Sequence, residues 1–466
     1  MLNLELINIA QSCGAQVYLP DGMLWDDYKN TKVAGVYTDS RKVVEASVFV
    51  AILGERVDGH DYITDVFEKG AAAVICERLP EKIEGICFKV ENSVEALQKV
   101  AECYRHILGD GLKVVGITGS VGKTSTREFV ASVLSQQFRV HQTHGNQNNL
   151  IGLPLEILSI EPDTEIAVLE MGISDFNEMT RLSAMACPDV AVITNIGECH
   201  LECLGDRDGV LKAKTEIFSS MRTGCYAILN GADDKLETVR EVKGSRPLRF
   251  GRQQDDAMAE VNRNMGLLGT DVTIHINREP AVSFTAHVPL PGRHMVTNAV
   301  AASLVGRVFD MDCSLIKEGI EAVKATKGRS NVIKTQRYVL IDDCYNANPI
   351  SMKAAINMLS CAEGRTVAIL GDMFELGDNR LELHREVGEY ASRAGIDVII
   401  CVGEMSKYMR DGALCEVSCE GKGIYYFETK EKLLQKLDSI LTEGDTILVK
   451  ASNGMKFAEV IEKLQA

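Results

Sequence analysis

The stretch GITGSVGKTSTREF, residues 116–129, constrains the architecture most strongly, because it sets a glycine loop between two regular elements. It overlaps the apolar run KVVGIT (113–118), which is typical of a buried strand, and it leads into a helical pattern. Gly122-Lys123-Thr124 supplies the residue types that hold a nucleotide phosphate. The usual phosphate loop has four residues between its first glycine and the Gly-Lys pair, and this spacing differs. The loop therefore predicts phosphate chemistry and leaves its kind open.

Length and composition limit the classes of protein that fit the rest of the chain. A chain of 466 residues is too long for one core and suggests about three domains. The formal net charge of −16 argues against a nucleic-acid partner. Fourteen scattered cysteines, several in strand-like runs, indicate reduced thiols. The N-terminus lacks a basic region typical of a signal peptide, and no apolar run reaches membrane-spanning length. We therefore expect a cytoplasmic protein without membrane insertion.

Three segments with different patterns divide the chain. Residues 1–92 hold short strand-like runs among turns, which predicts a small α/β domain. Residues 93–325 contain the loop, several buried strands around it, and alternating apolar residues that predict an antiparallel excursion at 271–290. Residues 326–466 alternate strands with helices, which predicts a parallel βαβ domain of Rossmann-like type. The predicted fold class is α/β with three domains.

Candidate site residues cluster where strands are predicted to end, because ligands of doubly wound sheets bind outside the carboxyl ends of the strands. Backbone N–H groups from Gly119 to Lys123 can bind phosphate oxygens, and the hydroxyl of Thr124 can bind Mg²⁺. Glu170 ends one strand and is a hard oxygen ligand, and His200 follows the next strand. Taken alone, such residues are more often a solvated charge and a structural histidine. The convergence of three strand ends favours function.

Three further features stay ambiguous from the residues alone. Lys214 lies in an apparent helix, LKAKTEIF, where a lone lysine is usually a solvated charge. The cluster DDCYNANP (342–349) fits a turn almost as well as a functional site. The loop HGNQNNLIGLP (144–154) carries five amide or imidazole side chains and suits recognition of a peptide or carboxylate.

These segments together resemble the Mur ligase family nearly end to end. The stretches GNQNN, YNANP and GDMFELG favour the branch of that family that adds D-alanyl-D-alanine over its tripeptide-forming relatives. The family shares the shortened glycine loop, so the resemblance answers which phosphate chemistry is expected: ATP phosphorylates a carboxylate. The motifs that carry the resemblance are TDSR (38–41), DGHDYI (58–63), TGSVGKT (118–124), GNQNNLIGLP (145–154), EMG (170–172), TNIGECHLECLG (194–205), AKTEIF (213–218), DDCYNANPISM (342–352), GDMFELG (371–377) and ILVKAS (447–452).

The resemblance implies a reaction and a role for each domain. A UDP-substrate domain (1–92), a central ATP-binding domain (93–325) and a C-terminal ligase domain (326–466) are expected. The γ-phosphoryl group of ATP passes to the C-terminal carboxylate of a UDP-N-acetylmuramoyl tripeptide, whose third residue is lysine or diaminopimelate. The amine of D-Ala-D-Ala then attacks the acyl phosphate. ATP, two Mg²⁺ ions and a monomeric chain are expected.

The resemblance also implies roles for individual residues. Those expected to bind ATP are Gly119, Ser120, Val121, Gly122, Lys123, Thr124, Ser125, Asn298, Arg329 and Asp343. The expected metal ligands are Thr124, Glu170, His200 and Lys214, the last as a carbamate. The expected catalytic residues are Lys123, His200, Lys214, Arg329 and Asp343. Residues expected to contact the UDP-substrate or the dipeptide are Ser40, Arg41, Asn146, Asn149, Tyr345, Asn346 and Asn348.

Two rival functions and several departures from the family's usual sequence accompany this interpretation. A Mur ligase that adds a single amino acid would respond to a different amine. A P-loop switch ATPase would hydrolyse ATP regardless of any amine, and it would leave GNQNN and YNANP without a purpose. The family usually reads KGSR near its end, whereas Lys450-Ala451-Ser452-Asn453 lacks the arginine.

Overall fold

The computed structural model describes residues 3–415 and 423–465, and its strands form three sheets. The first sheet has the order β1-β5-β4-β3-β2, in which β1 is antiparallel to β5 and the other pairs are parallel. Its elements are α1 (Leu6–Ser12), β1 (Gln16–Tyr18), α2 (Trp25–Tyr28), β2 (Val36–Tyr37), β3 (Val48–Val50), α3 (Ile63–Glu68), β4 (Ala73–Cys76), β5 (Ile86–Lys89) and the long helix α4 (Ser93–Leu108).

The second sheet has nine strands in the order β14-β13-β12-β11-β10-β9-β6-β8-β7, parallel from β7 to β12 and antiparallel beyond. Its elements are β6 (Lys113–Thr118), α5 (Lys123–Leu134), β7 (Val140–Gln142), α6 (Gly152–Leu158), β8 (Ile166–Glu170), α7 (Glu178–Ala186), β9 (Val190–Ile193), α8 (Leu201–Leu204), α9 (Arg207–Thr215), β10 (Tyr226–Asn230), α10 (Asp234–Glu237), β11 (Leu248–Phe250), β12 (Ala257–Asn264), β13 (Thr270–Ile276), β14 (Val282–Val288), α11 (Arg293–Val308) and α12 (Cys313–Glu321).

The third sheet has the order β15-β16-β20-β17-β18-β19 and is parallel except at β15. Its elements are β15 (Asn331–Lys334), β16 (Val339–Asp342), α13 (Pro349–Leu359), β17 (Thr366–Gly371), α14 (Arg380–Arg393), β18 (Val398–Val402), α15 (Ser406–Cys415), β19 (Gly423–Phe427), α16 (Lys430–Leu434), α17 (Leu437–Ile440), β20 (Thr446–Lys450) and α18 (Ala458–Gln465). The predicted three-part α/β fold and the antiparallel excursion are confirmed. Each sheet falls inside one predicted domain range, and the range boundaries stay a prediction.

The parallel strands are buried on both faces, which explains their nearly continuous apolar sequences. One hydrophobic cluster runs from the first sheet, through Ile75 and Phe88, across Leu97 of α4, to Leu153 and Leu169 of the central segment. The third sheet has two clusters of its own. In the part of the chain that the structure describes, one residue of the central segment, half-buried Leu267, packs against one of these two clusters.

Within residues 3–415 and 423–465, none of the helices combines the length and hydropathy that crossing a bilayer requires.

Candidate active site

A cavity of about 630 Å³ opens between the central sheet and the third sheet. One wall is the glycine loop and the carboxyl ends of β6, β8 and β9, as expected for a doubly wound sheet. Asn146, Asn148 and Asn149 of the loop before α6 form a second side. The wall from the C-terminal segment includes Arg329 and Asp343. Residues far apart in sequence therefore face one space.

The glycine loop has the backbone geometry of a phosphate cradle. Gly119, at φ 150°, lies so close to Thr194 that a Cβ there would come within 1.9 Å of the threonine Oγ1. Gly122 adopts a left-handed φ of 82° immediately before α5, which only glycine accepts easily. Lys123 Nζ donates a 2.8 Å hydrogen bond to the Gly119 carbonyl, so the ammonium lies over the loop. Burial lowers the pKa of Lys123, and the Glu170 carboxylate opposes that shift.

Glu170 is the most heavily hydrogen-bonded acid of the cavity. At the end of β8, it is 1% exposed. Thr124 Oγ1 donates to Glu170 Oε2 at 2.9 Å, and Asn148 Nδ2 donates to Oε1 at 2.8 Å. Arg127 Nη1 lies 3.4 Å from Oε2. The structure thus joins the predicted metal residues Thr124 and Glu170, and adds two partners that the sequence did not single out.

His200 joins the central segment to the C-terminal one. It precedes α8 with a left-handed φ of 52°, and it lines the cavity. Its Nδ1 lies 2.8 Å from Oε2 of Glu375, which also has a left-handed φ, of 61°. The hydrogen bond with His200 holds the pKa of Glu375 below its ordinary value.

Lys214 is buried, not solvated. Its side chain on α9 is among the largest fully buried ones, with a relative exposure of 1%. Burial lowers its pKa to about 8, the Cys199 thiol opposes the shift, and Lys123 adds to it. Lys214 is absent from the lining of the cavity, although Lys123 of the glycine loop is close enough to influence its pKa. The surface reading that its helix pattern favoured is wrong.

A buried ion pair fixes the C-terminal wall. Lys450 Nζ, at the end of β20, lies 2.6 Å from Asp343 Oδ2 and donates to the carbonyl of Asn346 at 2.9 Å. Asp343 Oδ1 accepts a 2.9 Å hydrogen bond from the backbone N–H of Ser330. The carboxylate of Asp343 therefore keeps one orientation at the cavity wall, because both of its oxygens are held.

Arg329 projects from a short segment that is tied to the C-terminal sheet. Its guanidinium carbon lies 4.0 Å from the centre of the Tyr345 ring, a cation–π contact. Gly328, at φ 76°, donates its N–H to Asp342 at 2.9 Å and accepts from the N–H of Tyr345 at 3.1 Å. Segment 328–330 is therefore structurally part of the third sheet.

Several predicted asparagines line the cavity, and three of them accept hydrogen bonds from neighbouring residues. Asn298 on α11 accepts a hydrogen bond from the hydroxyl of Thr126 at 3.1 Å. Asn149 Oδ1 accepts from the N–H of Gly152 at 2.8 Å, and Asn348 caps α13 by accepting from the N–H of Ser351 at 2.9 Å. These amides thus shape the loops as well as face the space. Also lining the cavity are Ser120, Val121, Ser125, Asn146, Tyr345 and Asn346.

Two predicted substrate residues lie elsewhere. Ser40 and Arg41 belong to the first sheet's segment and are absent from the cavity lining. The Arg41 guanidinium is 2.8 Å from Asp39, and Lys69 donates to the Ser40 carbonyl at 2.8 Å. The structure does not bring this pair to the phosphate loop.

Sequence reasoning missed Asn148, Asn195 and His294, which line the cavity, and also Glu375, the partner of His200 outside the lining. Asn148 lies inside the quoted GNQNN stretch, and Glu375 lies inside GDMFELG, so the motifs pointed to their neighbourhood without singling them out. Asn195 contacts the glycine loop, accepting from the N–H of Val121 at 3.0 Å. His294 also lines the cavity, and burial lowers its pKa. A histidine four residues before Asn298 gave no recognisable signal.

A phosphate loop that faces a second α/β domain across a polar cavity defines the class, an ATP-dependent ligase. Three family models match the chain in order: the Mur ligase family catalytic domain at 32–110, the Mur ligase middle domain at 117–306, and the Mur ligase glutamate ligase domain at 328–453. With relatives above 30% identity over nearly the whole length, the chain belongs to the Mur ligase family.

The relatives that match nearly the whole chain carry specific names. The UDP-N-acetylmuramoyl-tripeptide–D-alanyl-D-alanine ligase of Bacillus subtilis (strain 168) is 38% identical over 442 residues, covering 94% of each chain. A crystal structure of MurF from Acinetobacter baumannii superimposes with a TM-score of 0.89 at 29% identity, over 99% of this chain and 98% of that one. MurF of Thermotoga maritima in complex with ADP superimposes with a TM-score of 0.79 at 31% identity, over 93% and 97% of the two chains.

Proposed function

We propose that this chain joins D-alanyl-D-alanine to a UDP-N-acetylmuramoyl tripeptide at the expense of ATP, in the synthesis of peptidoglycan precursors. The observation that carries the proposal is the single cavity shared by the glycine loop, the asparagine loop 146–149 and the wall of Arg329 and Asp343. ATP, a carboxylate and an amine can meet there. The named relatives support the choice of substrates.

The first step is transfer of the γ-phosphoryl group from ATP to the terminal carboxylate of the tripeptide. A carboxylate oxygen attacks phosphorus, ADP leaves, and an acyl phosphate forms. Both reactants are anions, so positive groups at the loop must offset their repulsion. The ammonium of Lys123, backbone N–H groups and the N-terminus of α5 provide that charge.

The donor set beside the loop fits Mg²⁺. Hard oxygen atoms from the Thr124 hydroxyl and the Glu170 carboxylate are adjacent, at 2.9 Å, and oxygen ligands suit this ion. His200 has its δ nitrogen at Glu375, so its ε nitrogen remains for a second ion. When bound, Mg²⁺ neutralises phosphate oxygens during transfer. We propose two ions, held by Thr124, Glu170, His200 and a carbamate on Lys214.

The environment of Lys214 supports the proposed carbamate. A neutral amine attacks CO₂, a C–N bond forms and one proton is released, so a cation becomes an anionic oxygen ligand. A pKa near 8 leaves a substantial neutral fraction at physiological pH, unlike an ordinary lysine near 10.4. Lys214 forms no ion pair with a carboxylate in the described part of the chain, so its amine is available for that chemistry.

The second step is attack by the amine of D-Ala-D-Ala on the acyl carbon, with phosphate as the leaving group. We assign the peptide and dipeptide to Asn146, Asn149, Tyr345, Asn346 and Asn348, which surround the cavity beside the loop. Arg329 and Asp343 would contact ATP from the C-terminal side, so that closure of this wall excludes water from the acyl phosphate.

The UDP end of the substrate needs a second subsite. We assign it to Ser40 and Arg41, outside the cavity, where Arg41 is 86% exposed and can bind a diphosphate. We also propose that the chain acts as a monomer in the cytoplasm, where ATP is available and thiols stay reduced.

One experiment tests the function. Phosphate release is measured with ATP, Mg²⁺ and a UDP-muramoyl tripeptide carrying either lysine or diaminopimelate, with and without D-Ala-D-Ala. We expect release to depend on the dipeptide and a pentapeptide product to appear. Equal stimulation by a single amino acid would indicate the rival Mur ligase, and release that ignores every amine would indicate a switch ATPase.

A further inference from the structure

Beside the asparagine loop, three side chains converge that the proposed reaction does not use. His141 lies in the edge strand β7, His144 begins the loop, and Glu156 lies in α6. Their nearest ligand atoms, one from each residue, all lie within 4.8 Å of one another. We propose that His141, His144 and Glu156 form a binding site for a divalent transition-metal ion of the Zn²⁺ class.

The distances match the ligand spacing of such an ion. His141 Nε2 and His144 Nδ1 each lie 3.2 Å from the same oxygen of Glu156, Oε2. Zinc binds nitrogen and carboxylate oxygen at about 2.0–2.2 Å, so neighbouring ligand atoms of a tetrahedral site lie about 3.3–3.5 Å apart. A charge-assisted hydrogen bond between a histidinium and a carboxylate is shorter, at about 2.7–2.9 Å. The two contacts fit shared ligation better than strong hydrogen bonds.

Burial supports the same assignment. Glu156 is 3% exposed in a helix whose neighbours Leu153, Ile157 and Leu158 are core residues. A carboxylate in that setting requires a charged partner. His141 is largely buried beside it, whereas the His144 side chain is 73% exposed. An ion could therefore reach the site from solvent on the side of His144.

The ligand chemistry selects the class of ion. Two imidazoles with one carboxylate suit zinc, nickel or copper, whereas magnesium prefers oxygen ligands alone. Three protein ligands leave one tetrahedral position for water. Mg²⁺ at the phosphate loop and an ion of the Zn²⁺ class here would thus be sorted by their ligands.

The position gives the site a structural consequence. An ion would connect β7 to α6 and so hold both ends of segment 144–156, which carries Asn146, Asn148 and Asn149. Asn148 donates to Glu170 at 2.8 Å, so the segment is also in contact with the phosphate site. Occupancy should therefore order the loop without adding a catalytic group.

Equilibrium dialysis against Zn²⁺ at constant saturating Mg²⁺ tests the site. The whole chain is compared with His144→Gln and His141→Gln, whose amides can still donate to Glu156. The matched control is His287→Gln, because His287 pairs with the single carboxylate of Asp271 at 2.8 Å on the far side of the central sheet. We expect one equivalent of zinc to be lost from both site variants and retained in the control.

Two further readouts separate this site from the cysteines and from a merely structural cluster. Co²⁺ should give the visible absorption of a four-coordinate ion without a thiolate charge-transfer band, and His144→Gln should abolish it. Zn²⁺ should slow hydrogen exchange in segment 144–156 of the unmodified chain and of His287→Gln, and leave the two site variants unchanged. Equal zinc content in all four proteins, or loss in His287→Gln as well, would overturn the proposal.

Discussion

The two junctions of this molecule are built in opposite ways. Between the first sheet and the central sheet, α4 lies inside one continuous hydrophobic cluster. Tyr104 is fully buried there, and its hydroxyl donates to the carbonyl of Ile160 at 2.7 Å. Arg105 is also buried and donates to three backbone carbonyls, of Gly109, Leu112 and Ala186. A junction of this kind resists any relative movement of its two sides.

The junction between the central sheet and the third sheet is the cavity, whose lining mixes polar side chains with apolar ones such as Ile151 and Met295. Its contacts include the pair His200–Glu375, half-buried Leu267 and the side chain of Ile350, which lies against Gly197. Such an interface can open and close at modest cost. The contrast indicates that the first two segments form one packed unit, and under the proposed function the third domain is the part expected to move.

The largest effect should come from removing the charge of Lys123, at the junction between the central sheet and the third sheet. Lys123→Ala is expected to reduce ligation about 10³-fold or more, because the phosphate clamp is lost. Thermal unfolding should stay near that of the unmodified chain, since Lys123 packs in no core. The check is steady-state phosphate release beside a melting curve. A folded variant with near-normal activity would remove Lys123 from the site.

At the fixed junction the expected effect falls on stability instead. Leu97→Ala should lower the free energy of unfolding by about 2–5 kcal/mol, because it leaves a cavity in the shared core. Trp25, the only tryptophan, packs edge-on against Phe88 at 5.9 Å, so its fluorescence reports on the first sheet. Fluorescence and far-UV circular dichroism should shift together.

The matched control for Leu97→Ala is Ile350→Ala at the other junction. Ile350 is 42% exposed, so its truncation should change stability by about 0.5 kcal/mol or less. If fluorescence and circular dichroism separate in Leu97→Ala, the first two segments unfold independently and the contrast between the junctions fails.

A smaller loss of activity is expected from substitution of Lys214, which lies outside the cavity lining. Lys214→Ala should lose at least about tenfold in turnover, and short carboxylic acids should restore part of it by replacing the missing ligand. Lys214→Glu should rescue poorly, because its carboxylate is several atoms too short. Turnover is measured in buffers with and without bicarbonate.

The pH dependence of reactivation tests the same residue. Because the folded pKa of Lys214 is about 8, the reactive neutral amine increases as pH rises through that value. At a fixed concentration of dissolved CO₂, carbon-dioxide-depleted enzyme should therefore be reactivated faster at pH 9 than at pH 7. Unchanged turnover in both buffers at each pH would make Lys214 a structural residue.

The smallest effect concerns the pair His200–Glu375, which joins the central segment to the C-terminal one. Glu375→Gln keeps the size of the side chain and removes its charge opposite His200. Since Glu375 is 63% exposed, we expect a change of only a few-fold in KM and weaker compaction. Small-angle scattering with nucleotide and UDP-substrate measures the compaction, and Glu382→Gln is the control within the same domain. Identical scattering with and without substrates would contradict closure itself.

The sequence predicted strands best where a strand is buried on both faces, because its own residues then show an apolar run. The run 113–118 coincides with β6, because strands buried on both faces are apolar throughout. The short edge strands β7, β15 and β19 were not predicted, since only part of each surface is buried. Their pairing comes from neighbours in space.

The site was predictable as a set of motifs and unpredictable as a set of contacts. Three asparagines in GNQNN look alike in sequence, and only the fold directs Asn148 to Glu170. The burial of Lys214 arises from elements remote in sequence, so its helix pattern misled. Residue roles for Arg329 and Ser40 came from the family resemblance, and they stay predictions.

Segment 328–330 has a mechanical consequence. Gly328 and Ser330 are hydrogen-bonded to Asp342 and Asp343, so this segment must travel with the third sheet. Any pivot is thereby displaced upstream, to residues 322–327 between α12 and the glycine. If the third domain closes over the nucleotide as proposed, Arg329 moves with that domain as one body. The position of Arg329 would then depend on the rotation of about 140 residues, and no independent loop movement would bring it to the site.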